Sequence, residues 1–211
     1  MGVAISDSAL AGGMSVAEFR AFQDRRPDHE RWELISGVPM MMTPATIAHN
    51  RIASNLEWLL TDALGRFDRS RLATQRPGID LGSIAYRPEP DVGVIDADYA
   101  AGQRFVEHCY LLAEIVSETD ELPVPGTGGR WIDVKREIYR AHPPCEAVLI
   151  VEQDRIEVAV DIRSKDGWRA ALLNGPEAEL RLPAFGLRCA LAALYEGTPL
   201  MPRRERGGET K

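Results

Sequence analysis

Across residues 46–66 the chain places Ile47, Ile52, Leu56, Leu59, Leu60 and Leu64 at three- and four-residue spacing, the period of an α-helix with one apolar face. Gly65 marks the expected C-terminus of that helix. A shorter helix is predicted after Ser15, where Glu18 completes a capping box and Val16, Phe19 and Phe22 repeat at helical spacing until Pro27. Residues 31–42 carry Ser36-Gly37 between two extended stretches and predict a β-hairpin. Extended segments are expected at 72–78, 79–85, 91–95 and 110–116. The last is a continuous apolar run interrupted only by Glu114, a pattern that suits a strand buried on both faces. Residues 121–130, rich in Pro and Gly, form a loop, and 132–141 read as a helix stopped by Pro143-Pro144. Segments 147–151 and 156–162 flank Gln153-Asp154 as a second hairpin, 168–173 and 179–182 are short strands, and 187–195 closes as helix or strand. This order of elements predicts an α/β (α+β) fold with a central mixed β-sheet flanked by helices. One domain is expected over residues 15–200, between a flexible N-terminal tail at 1–14 and a charged, disordered C-terminal tail at 201–211.

Composition narrows the class. With 211 residues, 45% of them apolar, the chain can bury a sizeable core without metals or cross-links. Cys109, Cys145 and Cys189 are scattered, with no CxxC and no paired histidines nearby, and read as core residues in a reducing compartment. No apolar run approaches the ~20 residues of a membrane span, and the N-terminus lacks the basic and apolar blocks of a signal peptide. A cytoplasmic protein with no membrane partner is expected by default. The net charge of −7 counts against a passive nucleic-acid-binding module. It counts less against a metal-dependent nuclease, whose acidic site is neutralised by bound cations. Local positive surface could come from Arg66, Arg69 and Arg71, or from the helix bearing Lys135, Arg136 and Arg140.

Three residues carry candidate chemistry. Glu114 sits where an apolar strand should exclude an ionised carboxylate, which needs a partner or a proton. A metal ion opposite it is one solution; a buried Arg, or an edge strand facing solvent, is another. Asp91 follows a proline-rich turn and opens a second apolar strand, as a turn residue or as a second carboxylate for the same cation. Hard cations such as Mg²⁺ prefer one or two carboxylates with waters and substrate phosphate. Lys135, on the 132–141 helix, is either a solvated lysine or the group that neutralises charge on a phosphoryl oxygen.

Taken together, Glu33-Leu34-Ile35-Ser36-Gly37, His49 at the start of the long helix, Asp91 after Pro90, Glu114-Ile115-Val116-Ser117, and Lys135 with Tyr139 form an ordered series. That series resembles the PD-(D/E)XK nuclease superfamily, in its Uma-two type branch of restriction-endonuclease-like proteins. The resemblance implies a restriction-endonuclease-like fold and a metal-dependent endonuclease that hydrolyses phosphodiester bonds of DNA, with RNA left open. It also implies Mg²⁺ or Mn²⁺ held by Asp91 and Glu114, with Glu33 as a further site carboxylate and His49 as a helix-capping or packing residue. The superfamily's lysine stands two residues after the acidic one; here that position is Val116, so Lys135 on the following helix takes the role. A homodimer is expected by analogy with nucleases that cut both strands. The alternative is a catalytically silent nuclease-fold protein acting as a binding or assembly module. The long 117–135 connection and the acidic balance favour that alternative.

Overall fold

The alternation of side chains along one strand explains how the molecule is layered. The computed structural model describes residues 13–27, 29–81, 86–124 and 128–203. Its elements are α1 (Val16–Gln23), β1 (Trp32–Ile35), β2 (Val38–Met41), α2 (Ile47–Phe67), β3 (Arg71–Gln75), β4 (Gly78–Ile79), β5 (Val92–Asp96), β6 (Phe105–Val106) and β7 (Cys109–Ile115). There follow α3 (Trp131–Ala141), β8 (Ala147–Val151), β9 (Glu157–Ser164), β10 (Gly167–Asn174), β11 (Glu179–Leu182), a 3₁₀ turn at Pro183–Phe185, β12 (Leu187–Ala190) and α4 (Leu191–Leu194). Six strands form one mixed sheet in the order β10-β9-β8-β7-β5-β3. Within this sheet only β7 and β8 run parallel, and α3 is the crossover between them.

Successive residues of a strand point to opposite faces. In β7, Leu111, Ala113 and Ile115 join the apolar cluster built on Ile52, Leu56, Leu60 and Leu64 of α2. Leu112, and Val116 just beyond the strand, join the cluster built on Trp131, Ile132, Ile138 and Tyr139 of α3. The sheet is thus the middle of three layers, and Glu114 belongs by parity to the α3 face.

Most predicted elements fall where the pattern places them, and the departures have physical causes. The capping box at Ser15 is formed in full, and the β1–β2 turn takes positive φ at both Ser36 (55°) and Gly37 (77°), as a tight hairpin requires. Thr46 caps α2, whose last residues run through Gly65 to Phe67, with Asp68 as the C-cap. Ile47 is not part of the buried stripe; it is 90% exposed in the first turn. The strand expected at 72–78 breaks at Arg76, whose φ of 52° turns the chain ahead of Pro77. Residues 187–195 divide into β12 and α4 rather than forming one element. Cys109 and Cys145 are buried and Cys189 half-buried, all as free thiols. Most of the two expected tails, and residues 82–85 of the 79–85 segment, lie outside the described residues. No described helix is long and apolar enough to cross a membrane.

Candidate active site

At one end of the sheet the start of β5 meets the end of β7. Val92 stands opposite Ala113, so Asp91 and Glu114 fall beside each other on neighbouring strands. Asp91 Oδ2 accepts a hydrogen bond from the Ile115 amide at 2.9 Å, and Oδ1 lies 3.0 Å from His49 Nε2 in the first turn of α2. The N-cap Thr46 fixes that turn by accepting from the His49 amide. His49 Nδ1 is buried and makes no hydrogen bond.

On the α3 side, Lys135 is fully buried and its Nζ lies 2.9 Å from Glu33 Oε2, 3.2 Å from Asp120 Oδ1 and 3.3 Å from Glu114 Oε2. Tyr139, one helical turn beyond Lys135, donates its hydroxyl to the other oxygen of Glu114. Glu33 comes from β1, where the Glu89 amide donates to its Oε1 at 3.0 Å. Asp120 lies in the turn after β7, accepting from the Ser117 amide and hydroxyl. Glu33, Glu114, Asp91 and Asp120, with Glu89 and His49, line a crevice of about 20 Å³.

Three carboxylates around one ammonium leave an excess of negative charge out of contact with water. Burial pushes Glu114 well above the ordinary carboxyl range; Lys135 pulls it back only in part, and Asp91, Glu33 and Asp120 push it further. Glu33 is raised for the same reason, burial first, against Lys135. Burial would also raise Asp120, but Lys135 and the donors of Ser117 outweigh it and hold Asp120 below its usual value. Lys135 shows the converse: burial favours its neutral form, and Glu114, Glu33 and Asp120 together hold its proton more firmly than usual.

The sequence therefore pointed to Asp91, Glu114, Lys135 and Glu33, and the fold gathers these four at one end of the sheet. Lys135 is not part of a basic outer surface; it sits beneath the carboxylates, while Arg136 is tied to Asp161 and Arg140 to Glu137. Arg66 and Arg71 are also ion-paired, to Asp62 and Glu146. Sequence reasoning missed Asp120 and the contact of His49 with Asp91. Ser117 followed three residues later by Asp120 is the local signal for the first, since such a pair closes a side-chain-capped turn. No local pattern announces the second, which joins residues from separate elements.

The donor set is all oxygen apart from His49, which suits a hard divalent cation. The oxygens are nonetheless engaged within the protein: those of Asp91 by His49 and Ile115, those of Glu114 by Lys135 and Tyr139. Among the described residues no three His, Cys, Asp or Glu side chains converge as a ready-made ion cage. A cation fits the chemistry of these residues, provided Asp91 and Glu114 turn toward the crevice.

The family model described as Uma2, putative restriction endonuclease, matches residues 16–192. The chain belongs to that family. No curated protein matches it. Among solved structures, a protein of Anabaena variabilis described as a putative nuclease shares the fold, with a TM-score of 0.65 at 16% identity, over 86% of this chain and 97% of that one.

Proposed function

We propose that this Uma2 protein is a divalent-cation-dependent endonuclease that hydrolyses phosphodiester bonds of DNA, with Mg²⁺ or Mn²⁺ held by Asp91 and Glu114. One observation carries the reading: Glu33, Glu114 and Asp120 share a single buried ammonium, with Asp91 beside them on the next strand. Such an excess of buried acid is offset by protons or by a cation. The Uma2 description and the description of the Anabaena protein agree with phosphodiester chemistry.

When bound, the cation supplies Lewis acidity at a phosphoryl oxygen and a nucleophile at neutral pH. The Ile115 amide and His49 orient Asp91 for that task. Lys135 acts from below: it draws Glu114 and Glu33 part of the way back toward ionisation, helps to hold Asp120 low and compensates charge in the crevice. Glu33 is held by the Glu89 amide and steadies Lys135.

Plasmid and single-stranded DNA, incubated with the protein and Mg²⁺ or Mn²⁺, test the reading. Divalent-dependent cleavage that Asp91→Ala abolishes is expected; no cleavage overturns it. The second reading, a silent binding or assembly module, is favoured by the engagement of both oxygens of Asp91 and of Glu114 within the protein. Calorimetric titration with Mn²⁺ separates the two: a binding isotherm lost in Asp91→Ala supports the nuclease, and its absence in the wild type supports the silent module.

A further inference from the structure

A groove of about 830 Å³ runs between α1, the β3–β4 turn and β6, lined by Arg20, Arg26, Arg76 and Arg104 against Asp24 and Glu89, with Tyr99 and Phe105 on its wall. A second hollow of about 360 Å³ carries it on past Arg31 and Asn50 to His49 and Asp91. Gln75 and Arg76 line both, so the two adjoin at these residues. Arg31, His49 and Asp91 in turn line both the second hollow and the carboxylate crevice. Adjoining hollows therefore form a channel-like path from an open groove rich in arginine to the candidate active site.

Arginine outnumbers acid along the groove. Many arginines elsewhere are tied to carboxylates, as Arg130 is to Glu121 and Asp133, Arg155 to Glu152 and Glu157, and Arg181 and Arg188 to Glu179, while Arg69 and Arg163 bond backbone carbonyls. Arg26, Arg31, Arg76 and Arg104 form no ion pair with a described carboxylate, although Arg31 and Arg76 face Glu89 electrostatically. Arg20 has only a loose pair with Asp80 at 3.6 Å. Behind the groove wall Arg87 is 2% exposed, stacked 3.5 Å over the Phe105 ring, with Nε and Nη2 unbonded. A protein of net charge −7 thus gathers four arginines and only two carboxylates, Asp24 and Glu89, along the groove that adjoins the route to the carboxylate crevice.

Two further features select the ligand. Tyr99, on the groove wall, is 58% exposed, a flat aromatic face available for stacking. The carboxylates at the channel's end are recessed: Asp91 is 8% and Glu114 2% exposed. A duplex is a stiff rod that cannot carry a phosphate down such a channel without being opened. A single strand bends freely and exposes bases to stack, and arginines with an exposed aromatic are the groups that hold one.

We infer that this channel is a track for single-stranded nucleic acid, with arginines on successive phosphates, Tyr99 on a base, and Arg76 positioned where the strand turns toward Asp91. The inference rests on the nuclease reading for its meaning but not for its test. Fluorescence anisotropy in EDTA, with a labelled single strand of about 12 nucleotides and the matching duplex, measures binding without cleavage. The single strand is expected to bind the full-length protein more tightly than the duplex. Arg76→Ala and Arg104→Ala should each weaken it several-fold and lessen the slope of log affinity against log salt by about 0.7, the loss of one phosphate contact on a single strand. Tyr99→Ala should weaken it roughly tenfold with the salt slope unchanged. Arg76→Lys should restore most of the binding lost in Arg76→Ala, and Arg66→Ala, outside the groove, should change nothing. Tighter duplex binding, no binding, or indifference to all three alanine substitutions overturns the inference. Binding that behaves as expected without Mn²⁺-dependent cleavage leaves the track standing and removes the nuclease reading.

Discussion

Replacing Lys135 by methionine keeps much of the side-chain volume and removes the charge that three buried carboxylates share. Nζ lies within 3.3 Å of Glu33, Glu114 and Asp120, and these side chains, like that of Lys135, are at most 3% exposed. Removing one partner from a buried ionic cluster typically costs about 3–5 kcal/mol, because the remaining charges stay buried without compensation. Methionine fits the space, so little of the loss is cavity formation. Domains of this size unfold with about 5–15 kcal/mol, so the substitution removes a large share of the total. At roughly 2–4 °C per kcal/mol the melting temperature should fall by about 6–20 °C at pH 8. The loss should shrink toward pH 5, where the orphaned carboxyls take up protons and cease to repel. Thermal unfolding by circular dichroism at both pH values, without divalent cations, measures both effects. A melting temperature within about 2 °C of the wild type at pH 8 would refute the reasoning, since the ammonium would then hold nothing the carboxylates need.

Tyr139→Phe removes the hydroxyl that donates to Glu114 and leaves a buried carboxyl oxygen one donor short; a loss of about 1–3 kcal/mol is expected in urea unfolding, with Glu114 pushed still higher. Gly186→Ala forces an alanine into φ +64°, with its Cβ 2.6 Å from Cβ of Phe67, and should cost at least ~1–2 kcal/mol on the same scale. In the cation-free wild type, the raised pKa values of Glu33 and Glu114 mean that the native state holds more protons than the unfolded chain above the ordinary glutamate range. The stability these two groups contribute is therefore full below that range and lost as pH rises through their folded values. Asp120, held low, works in the opposite sense: its contribution is present above the ordinary aspartate value and lost as pH falls through its folded value. A melting temperature that falls from pH 5 toward neutrality, and that Mn²⁺ restores, checks the pair; a flat profile with or without Mn²⁺ contradicts it.

The fold was largely legible because it rests on local periodicity. The stripe Ile52, Leu56, Leu60, Leu64 specifies α2, and Ser36-Gly37 specifies the β1–β2 turn, whatever the rest of the chain does. Boundaries were less legible where tertiary contacts intervene, as at Arg76, whose left-handed backbone ends β3 while its amide still bonds the Asp91 carbonyl. In the site, Glu114 stood out because an apolar strand must have a reason to carry a carboxylate. Asp120 did not, and His49 entered only as a helix-capping or packing residue, since a carboxylate in a polar turn and a histidine in a first helical turn are ordinary in sequence. What gives them meaning is proximity to Lys135 and Asp91, from residues 15 and 42 positions away.

The placement of the lysine on α3 has a geometric reason. Residues 114 and 116 share a face of the sheet, so a lysine at position 116 would leave from the same side as Glu114. In this chain that position is filled by Val116, which packs with Trp131 and Ile132 and seats the start of α3 on the sheet. The helix that this packing anchors then carries Lys135 and Tyr139 four residues apart, on one face. That face lies over Glu114, and each of the two side chains takes one of its oxygens. With the cation carried on the helix, the strand end is free for apolar anchoring while the carboxylate keeps its compensating charge. It also allows Lys135 to reach Glu33 and Asp120, which come from β1 and from the turn after β7. One ammonium thereby ties the hairpin, the sheet and α3 together, and the same contact that stabilises the fold sets the charge of the crevice.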